Sequence, residues 1–391
     1  MIRTLVEIVS FGKFGFCDGG RRLYYRAVGD RTRIGKEYRK YFLKGRYKDP
    51  KNGLSFKMKS GVLRKEGDNY KIYPSTTIKG VQFYRVESSN VRCKLFDFKK
   101  IYFKPEQEEV YRHGGGKVYL KYALVKDVSE TPERGFSEGY LIASGSIPKK
   151  YMQWIINLPG KSGLPVKDEV ITHYKSDESR YEKADIFSHG PKDVPVFYIE
   201  NGKGEIVAFG HTGFFRLPYE LTIGDHIPDN LESKDVTDFA EAIFGVEGKQ
   251  ATRVFFEDAE LFDGQSDIFL PEVSPKILAS PKPTTFQHYL EQTKDDLEHW
   301  NDRNAKIRGY KLYWHRNTPD DANKKYSWSE GKIIYDTQHT KIRPLRRGIR
   351  FKSKIRFENL TKEELGALLF VLQLPEGCHH KLGMGKPLCL L

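Results

Sequence analysis

The stretch Gly348–Leu372, GIRFKSKIRFENLTKEELGALLFVL, decides the fold of the C-terminal part of the chain. Its first ten residues alternate with a period of two, which predicts a β-strand with isoleucine and phenylalanine on one face. The other face is wholly cationic, because it is formed by Arg350, Lys352, Lys354 and Arg356. A face of this kind favours a polyanionic partner.

The second half of the stretch predicts an amphipathic helix. Thr361 and Glu364 have the Thr-x-x-Glu spacing of a capping box, in which each side chain accepts from the other residue's backbone N–H. Gly377 is expected to end the helix. The leucines recur at the spacing of one helical face, at Leu365, Leu368, Leu369 and Leu372.

A basic loop interrupted by glycines follows the helix, Cys378–Pro387 (CHHKLGMGKP). Gly383 and Gly385 carry no side chain, so backbone amides there can approach a phosphate closely, and Lys386 adds a charge beside them. The alternative is a turn in which glycine only permits a positive φ. A zinc site at Cys378 is not expected, because no second ligand pair appears at zinc-finger spacing.

This strand, helix and Gly-Met-Gly-Lys loop resemble the end of a RAMP-superfamily CRISPR-associated protein. Residues 205–262 resemble the superfamily's central segment, with LPY at 217–219 and DFAEAIFG at 238–245. Ile2–Phe14, with RRLYYR at 21–26 and GDR at 29–31, resembles the first helix of type III effector backbone subunits. The chain is similar to such a guide-RNA-binding subunit with an insertion.

The resemblance implies an α+β fold, with a ferredoxin-like (RRM-like) core of order β-α-β-β-α-β and a β-rich insertion. It implies a non-catalytic guide-RNA-binding and assembly subunit of a type III CRISPR effector in antiviral defence. Guide RNA, target RNA and other RAMP-superfamily subunits are the expected partners, and no cofactor or metal is expected. The residues that the resemblance and the basic pattern assign to RNA binding are Arg3, Arg21, Arg22, His211, Arg216, Tyr219, Arg350, Lys352, His380, Lys381, Gly383, Met384, Gly385 and Lys386.

The same reasoning predicts how the chain is organised. Because a helix begins at Ile2, the first strand of the RAMP core is expected to be absent from this chain. The predicted segments are residues 1–60 as the first part of the core, 61–190 as the β-rich insertion, 191–270 as the central segment, 271–284 as a proline-rich linker and 285–391 as the C-terminal part of the core.

Short strands are predicted through the insertion, which could form a small closed sheet. A hairpin joins Val62–Arg64 to Tyr70–Tyr73, and further strands are expected at 81–84, 100–103, 118–122 and 139–143. A helix is predicted over Thr285–Asn301 and a strand over Ile307–Trp314.

Composition agrees with a nucleic-acid partner. The chain has 66 Lys and Arg against 52 Asp and Glu, a formal charge of +14. A merely basic soluble surface would explain that excess equally simply. The 23 Tyr and 25 Phe, however, often stand beside basic residues, which suits base stacking next to phosphate contact. No apolar run has the ~18 residues that span a bilayer, and four scattered cysteines indicate reduced thiols in the cytoplasm.

Catalysis is a second hypothesis. Several RAMP subunits cut target RNA with an aspartate near the first helix and a divalent metal, and Asp18 and Asp30 are the candidates here. Asp18 equally suits a simple turn, and Asp30 could pair with Arg31. His211 and His226 lie in predicted loops, where histidines more often bond their own turn than act as acid or base. Gly114–Lys117 resembles a phosphate loop in composition only.

Three functions therefore remain open from the sequence. The first is the non-catalytic guide-binding subunit, and the second is a metal-dependent endoribonuclease that cuts target RNA or the precursor of the guide. The third is a stand-alone single-strand-binding protein with no CRISPR connection.

Overall fold

The structure is a computed structural model of the chain. It describes residues 1–15, 17–45, 53–91, 98–106, 108–113, 118–143, 151–177, 192–232, 236–275, 285–293, 297–310 and 339–380. Within those ranges, no helix has the length and apolar character needed to span a bilayer.

Short strands outnumber helices in the described chain. The helices are α1 Ile2–Val9, α2 Arg33–Phe42, α3 Asp168–Ser176, α4 Asp229–Glu232, α5 Phe239–Phe244 and α6 Lys362–Leu372. The strands are β1 Arg22–Tyr25, β2 Leu43–Gly45, β3 Leu54–Phe56, β4 Lys59–Glu66, β5 Asn69–Pro74, β6 Phe83–Glu87, β7 Lys100–Phe103, β8 Glu108–His113, β9 Val118–Val125, β10 Val128–Ser129, β11 Ser137–Ile142, β12 Met152–Asn157, β13 Leu164–Val166, β14 Val194–Glu200, β15 Ile206–Gly210, β16 Leu217–Thr222, β17 Val254–Phe256, β18 Glu260–Leu261, β19 Phe351–Lys352 and β20 Ile355–Phe357.

The chain forms two compact units. The first unit comprises Met1–Arg21, Ile223–Gln292 and Arg303–Leu391, and the second comprises Arg22–Thr222 and Thr293–Asp302. The α+β class predicted from the sequence is confirmed, with several separate sheets. The ferredoxin-like order and the division at residues 60, 190, 270 and 284 stay predictions.

The second unit contains a nine-stranded sheet, in the order β10-β7-β11-β12-β6-β9-β3-β2, with β8 also paired to β9. Alternate residues of its central strands form one apolar core, because side chains on a strand point to opposite faces in turn. That core contains Tyr84, Val86, Ile101, Phe103, Ala123, Val125, Leu141 and Ile155. The predicted strands of the insertion are confirmed as β6, β7, β9 and β11.

The second unit also contains a five-stranded sheet, in the order β13-β5-β4-β14-β15. The predicted hairpin is confirmed as β4 and β5, which pair Val62 with Tyr73. β4 also pairs with β14, so the sheet continues beyond residue 190. Its core is closed at one end by α3, which contributes Val170, Ile171 and Tyr174.

The first unit packs α1, α5 and α6 around a small core that contains Val6, Ala240, Ile243, Val254, Leu368 and Val371. The opening helix predicted from Ile2 is confirmed through Val9. The capping box at Thr361 and Glu364 is confirmed in full, with both reciprocal hydrogen bonds present.

Three predictions about α6 and residues 285–301 are wrong. α6 ends at Leu372 and not at Gly377, because the residue before Pro375 disfavours helical backbone. Its buried face includes Val371, whereas Leu369 is 56% exposed. Residues 285–293 and 297–301 do not form a helix. A 3₁₀ turn stands at Phe286–His288, and Glu291 N donates to Lys306 O in a pairing that replaces helical bonds.

Candidate nucleic-acid interface

The predicted cationic strand is one side of a long antiparallel ribbon, residues 254–273 paired with residues 342–357, which we call the ribbon. β17 pairs with β20 at its base, and β18 pairs with β19 further along. Isolated bridges continue the ladder through Phe269–Leu345 and Val273–Ile342. The single strand predicted over 348–357 is therefore broken into β19 and β20.

The break lies at Ser353 and Lys354, where the sequence alternation is also interrupted. Ser353 Oγ donates to Glu257 O over 2.8 Å, and Glu257 N donates to Lys354 O over 3.0 Å. The two sides of the ribbon thus stay bonded through the irregular region.

Charge is divided between the two sides of the ribbon. Residues 342–357 hold basic side chains and no acidic one, whereas residues 254–273 hold acidic side chains and no basic one. Arg346 pairs with Asp267 at 3.0 Å, and Arg356 pairs with Glu257. Among the described residues, no carboxylate lies within ion-pairing distance of the remaining cations of this side, Arg343, Arg347, Arg350, Lys352 and Lys354.

Phenylalanine side chains along the ribbon are about half exposed. The most exposed are Phe256 and Phe262 at 50%, and Phe351 and Phe357 are at 47%. Phe255 and Phe269 are at 43% and 44%. The apolar face predicted for residues 348–357 is therefore not buried. Since large exposed apolar groups are unusual on a surface that only faces water, these rings indicate a contact surface.

Cations stand directly beside these rings. Phe255 and Arg356 are cross-strand partners, so they share one face of the ribbon. The Arg343 guanidinium lies over the Phe269 ring, 5.2 Å from its centre. A surface of exposed rings flanked by cations can stack nucleobases and contact phosphate at the same time.

The base of the ribbon is fixed to the core by polar and apolar contacts. Val254 is 3% exposed and lies in the core with Ala240 and Leu368. Arg253 Nη2 pairs with Glu364 Oε1, and Arg253 Nη1 donates to Asn359 O over 2.6 Å. Burial acts to raise the pKa of Glu364, but its bonds to Arg253 and to Thr361 N outweigh burial and lower that pKa. The charged pair thus holds α6 to the ribbon.

The sequence assigned five of its RNA contacts to described residues of the first unit. Arg350 and Lys352 lie on the ribbon and are exposed. Arg3 lies elsewhere, where its side chain pairs with Glu7 at 3.0 Å and donates to Gly245 O. Arg21 is exposed, and its backbone N–H donates to Asp18 O, which closes a turn.

His380 stands at the end of α6. Its Nε2 lies 2.6 Å from Val371 O, one of the carbonyls that a helix end leaves without a partner. The rest of the predicted terminal loop, Lys381, Gly383, Met384, Gly385 and Lys386, lies outside the described residues, as does Gly114–Lys117.

The other assigned contacts belong to the second unit. Arg22 Nη1 donates to Tyr219 O over 2.6 Å, and Arg216 lies 3.7 Å from Asp177. Tyr219 is 1% exposed and stacks on Tyr25 with ring centres 4.4 Å apart. Burial raises the pKa of the Tyr219 phenol far above its ordinary range. This residue packs in the core, so a contact with RNA would need it to move.

His211 is buried as well. Its Nε2 lies 2.5 Å from the Tyr174 hydroxyl, and its Nδ1 lies 3.0 Å from Pro195 O. Both ring nitrogens are therefore used inside the unit. His226 is 1% exposed, with Nδ1 2.8 Å from Ala305 O.

The two candidate catalytic aspartates occupy local structural positions. Asp18 is exposed in its turn. Asp30 Oδ1 accepts from Thr32 N over 2.7 Å and from the Thr32 hydroxyl, immediately before α2. Across the described ranges, no three His, Cys, Asp or Glu side chains come together as a possible metal site.

Sequence reasoning found the cations of the ribbon but missed its aromatic surface. Alternation alone shows that Phe351 and Phe357 share a face, not whether anything covers that face. The density of phenylalanine around residues 255–269 was the pattern that could have indicated it.

Comparison with known proteins adds one finding. The family model described as the RAMP superfamily matches residues 51–388, most of the chain and parts of both units. No curated protein matches the sequence. Arg3, Arg21, Arg22, Asp18 and Asp30 lie before the matched range.

Proposed function

The chain belongs to the RAMP superfamily, and from this we propose that it is a non-catalytic guide-RNA-binding and assembly subunit of a type III CRISPR RNA-guided effector. The superfamily is associated with CRISPR effector complexes. The observation that carries the proposal is the ribbon, where half-exposed phenylalanines lie on both sides and five cations of residues 342–357 have no acidic partner among the described residues.

Charge and stacking make separable contributions to the proposed binding. The five cations of the ribbon that have no acidic partner among the described residues could contact about five phosphates, which predicts a salt slope near −3.5 for single-stranded RNA. Affinity would then fall roughly 100-fold between 50 and 200 mM salt. Stacking of a base on an exposed ring adds about 1–3 kcal/mol of binding free energy. This contribution depends on salt much less than the phosphate contacts do. Neither contribution reads base identity, so binding should tolerate any sequence, as a guide-binding subunit requires.

The test is fluorescence anisotropy of the full chain with a labelled single-stranded 30-mer RNA across a salt series. F262A/F269A removes two exposed rings, and it should weaken binding about 10-fold or more with the salt slope unchanged. K352A/K354A removes two cations, and it should reduce the magnitude of the slope by about 1.4.

Matched controls come from exposed residues of the same unit outside the ribbon. Phe370 is 48% exposed on α6, and Lys249 is exposed after α5. F370A and K249A should each leave affinity within about twofold, since isolated surface changes rarely matter. If the ribbon variants match these controls, the ribbon is not the RNA contact. A strong preference for one base sequence would also contradict the proposal.

A further inference from the structure

The five-stranded sheet of the second unit has a distinctive strand order. In chain order its elements are β4, β5, β13, α3, β14 and β15. The first of these strands, β4, lies between β5 and β14, and all the pairings are antiparallel. The helix therefore stands between the third and fourth strands, and β13 runs parallel to β15.

The sheet curls until its two edge strands lie beside each other. β13 and β15 are in contact, and Lys167, just after β13, pairs with Glu205, just before β15, at 2.9 Å. All five strands and the helix contribute to one interior. Its members include Leu63, Ile72, Val166, Val196 and Ile206 from the strands and Val170 and Tyr174 from α3.

We propose that this closed sheet is an OB-type module that binds single-stranded RNA across the outer face of β5 and β13. An OB-fold is a five-stranded Greek-key sheet of this order that binds oligonucleotides on its second and third strands, between the loops that join strands 1 to 2 and 4 to 5. The nine-stranded sheet, formed largely by β6–β12, then enters as an insertion between the second and third strands. The inference relies on the proposed function only for RNA as the ligand.

Because a fold alone does not establish a function, the outer face must itself carry the argument. Lys71 of β5 lies directly opposite Arg64 of β4 and Pro165 of β13 in the strand register. These three residues therefore share the face of the sheet that points away from the interior. Lys71 pairs with Glu66 at 2.7 Å, and Arg64 pairs with Asp193 at 2.7 Å. The exposed Lys71–Glu66 pair is worth at most about 1 kcal/mol, so a phosphate can replace the Glu66 carboxylate. Asp193 holds Arg64 through two hydrogen bonds and also accepts from the Tyr140 hydroxyl, so Arg64 keeps its partner.

Two lysines lie at the loops that the OB arrangement uses for binding, those joining β4 to β5 and β14 to β15, and a third lies just before β13. Lys65 precedes the β4–β5 turn, Lys161 precedes β13, and Lys203 lies in the loop between β14 and β15. All three are exposed, and no carboxylate of the described residues pairs with them. The backbone of this loop is folded as a turn, since Asn201 Oδ1 accepts from Lys203 N at 2.9 Å and from Glu205 N at 3.0 Å. The Lys203 side chain is exposed at that turn.

The geometry also indicates the mode of contact. The Arg64 guanidinium covers the Tyr73 ring at 4.7 Å, and the backbone of Gly163 is so close that a Cβ there would lie 2.9 Å from Tyr73 Cζ. The ring is therefore not open for stacking, and the face contacts the phosphate backbone. The ribbon differs, because its Phe256 and Phe262 side chains are 50% exposed.

The test reverses the charge of these three lysines in the full chain, as K65E/K161E/K203E. The matched control is K79E/K104E/K126E, which changes three exposed lysines of the same unit by the same charge, away from the face. Both are measured by anisotropy with single-stranded RNA over a salt series, after thermal melts confirm folding. We expect the first variant to lose about 10-fold or more in affinity and about 2 in slope, and the control to lose less than threefold.

Equal losses in the two triple variants would overturn the proposal, because they would reflect net charge alone. So would unchanged binding in K65E/K161E/K203E. The ribbon variants separate this result from the proposed function: if they bind normally while K65E/K161E/K203E does not, the ribbon fails and the OB-type site stands. If the opposite pattern is found, the OB-type site fails alone. Crosslinking of 4-thiouridine RNA should label peptides that contain residues 65–73 and 161–167, and labelling elsewhere only would also count against it.

Discussion

Glu364 connects the best-specified helix of the chain to the proposed RNA-binding ribbon. Its carboxylate accepts from Thr361 N over 2.8 Å in the capping box and pairs with Arg253, next to β17. E364Q keeps the size of the side chain and, since glutamine also serves in a capping box, keeps the cap. The substitution therefore removes the charge of the pair almost alone.

The magnitude follows from the exposure of the two partners. Side-chain exposure is 9% for Glu364 and 25% for Arg253, so the pair is partly buried. Breaking a fully buried ion pair lowers the free energy of unfolding by about 3–5 kcal/mol, and breaking an exposed one lowers it by less than about 1 kcal/mol. For this partly buried pair we expect a loss of about 1–2 kcal/mol. A loss of that size lowers Tm by roughly 2–8 °C in a unit of this size.

The pH dependence has a definite sign. Because the pKa of Glu364 is lowered in the folded chain, its stabilisation is complete above the ordinary carboxyl pKa of 4.5 and is lost as pH falls through the lowered value. Thermal melts should thus show the parent chain more stable than E364Q at pH 7, with the gap closing below about pH 4. E363Q changes the exposed neighbour and is the control. If E364Q and E363Q have the same Tm, the Arg253–Glu364 pair does not stabilise the base of the ribbon. The same conclusion follows if the difference in Tm between the parent chain and E364Q persists in acid.

Three further outcomes are expected. G35A should destabilise the chain by about 1–3 kcal/mol in urea melts, because a Cβ there collides with Asp30 O, whereas G366A in α6 should stabilise it by up to about 1 kcal/mol, since nothing among the described residues lies within 4 Å. If G35A is neutral, the close approach is not present in solution. D18A/D30A should leave every target cut of a purified effector intact, and loss of a cut would instead favour the endoribonuclease.

Local patterns in the sequence predicted local structure well. The capping box of α6 and the β4–β5 hairpin each depend on residues only a few positions apart, and both are present. The predicted helix over 285–301 failed because Leu290 bridges to Ile307, a tertiary pairing that no local period contains. Closure of the five-stranded sheet could not be predicted from local sequence either. β4 pairs with β14, and most strands of the nine-stranded sheet lie between them in the chain.

The candidate site shows the same division between local and tertiary information. Cations can be read from the sequence because charge does not depend on neighbours, and Arg350 and Lys352 are exposed as expected. Tyr219 and His211 were assigned by resemblance, and the structure places both in the interior of the second unit. The RNA contact proposed for residues 381–386 stays a prediction.

The ribbon and the OB-type face could bind one RNA strand together or two strands separately, and binding measurements distinguish these cases. If one strand occupies both the ribbon and the OB-type face, each contact raises the effective concentration at the other, and affinities multiply. A variant that combines K352A/K354A with K65E/K161E/K203E should then lose the product of the two separate losses, and the slopes should add to about −5 to −6 in the parent chain. If separate strands occupy them, two RNA molecules bind each chain at saturation, and each variant weakens only its own binding step, so the losses do not multiply. The combined variant therefore distinguishes one continuous RNA path from two independent sites.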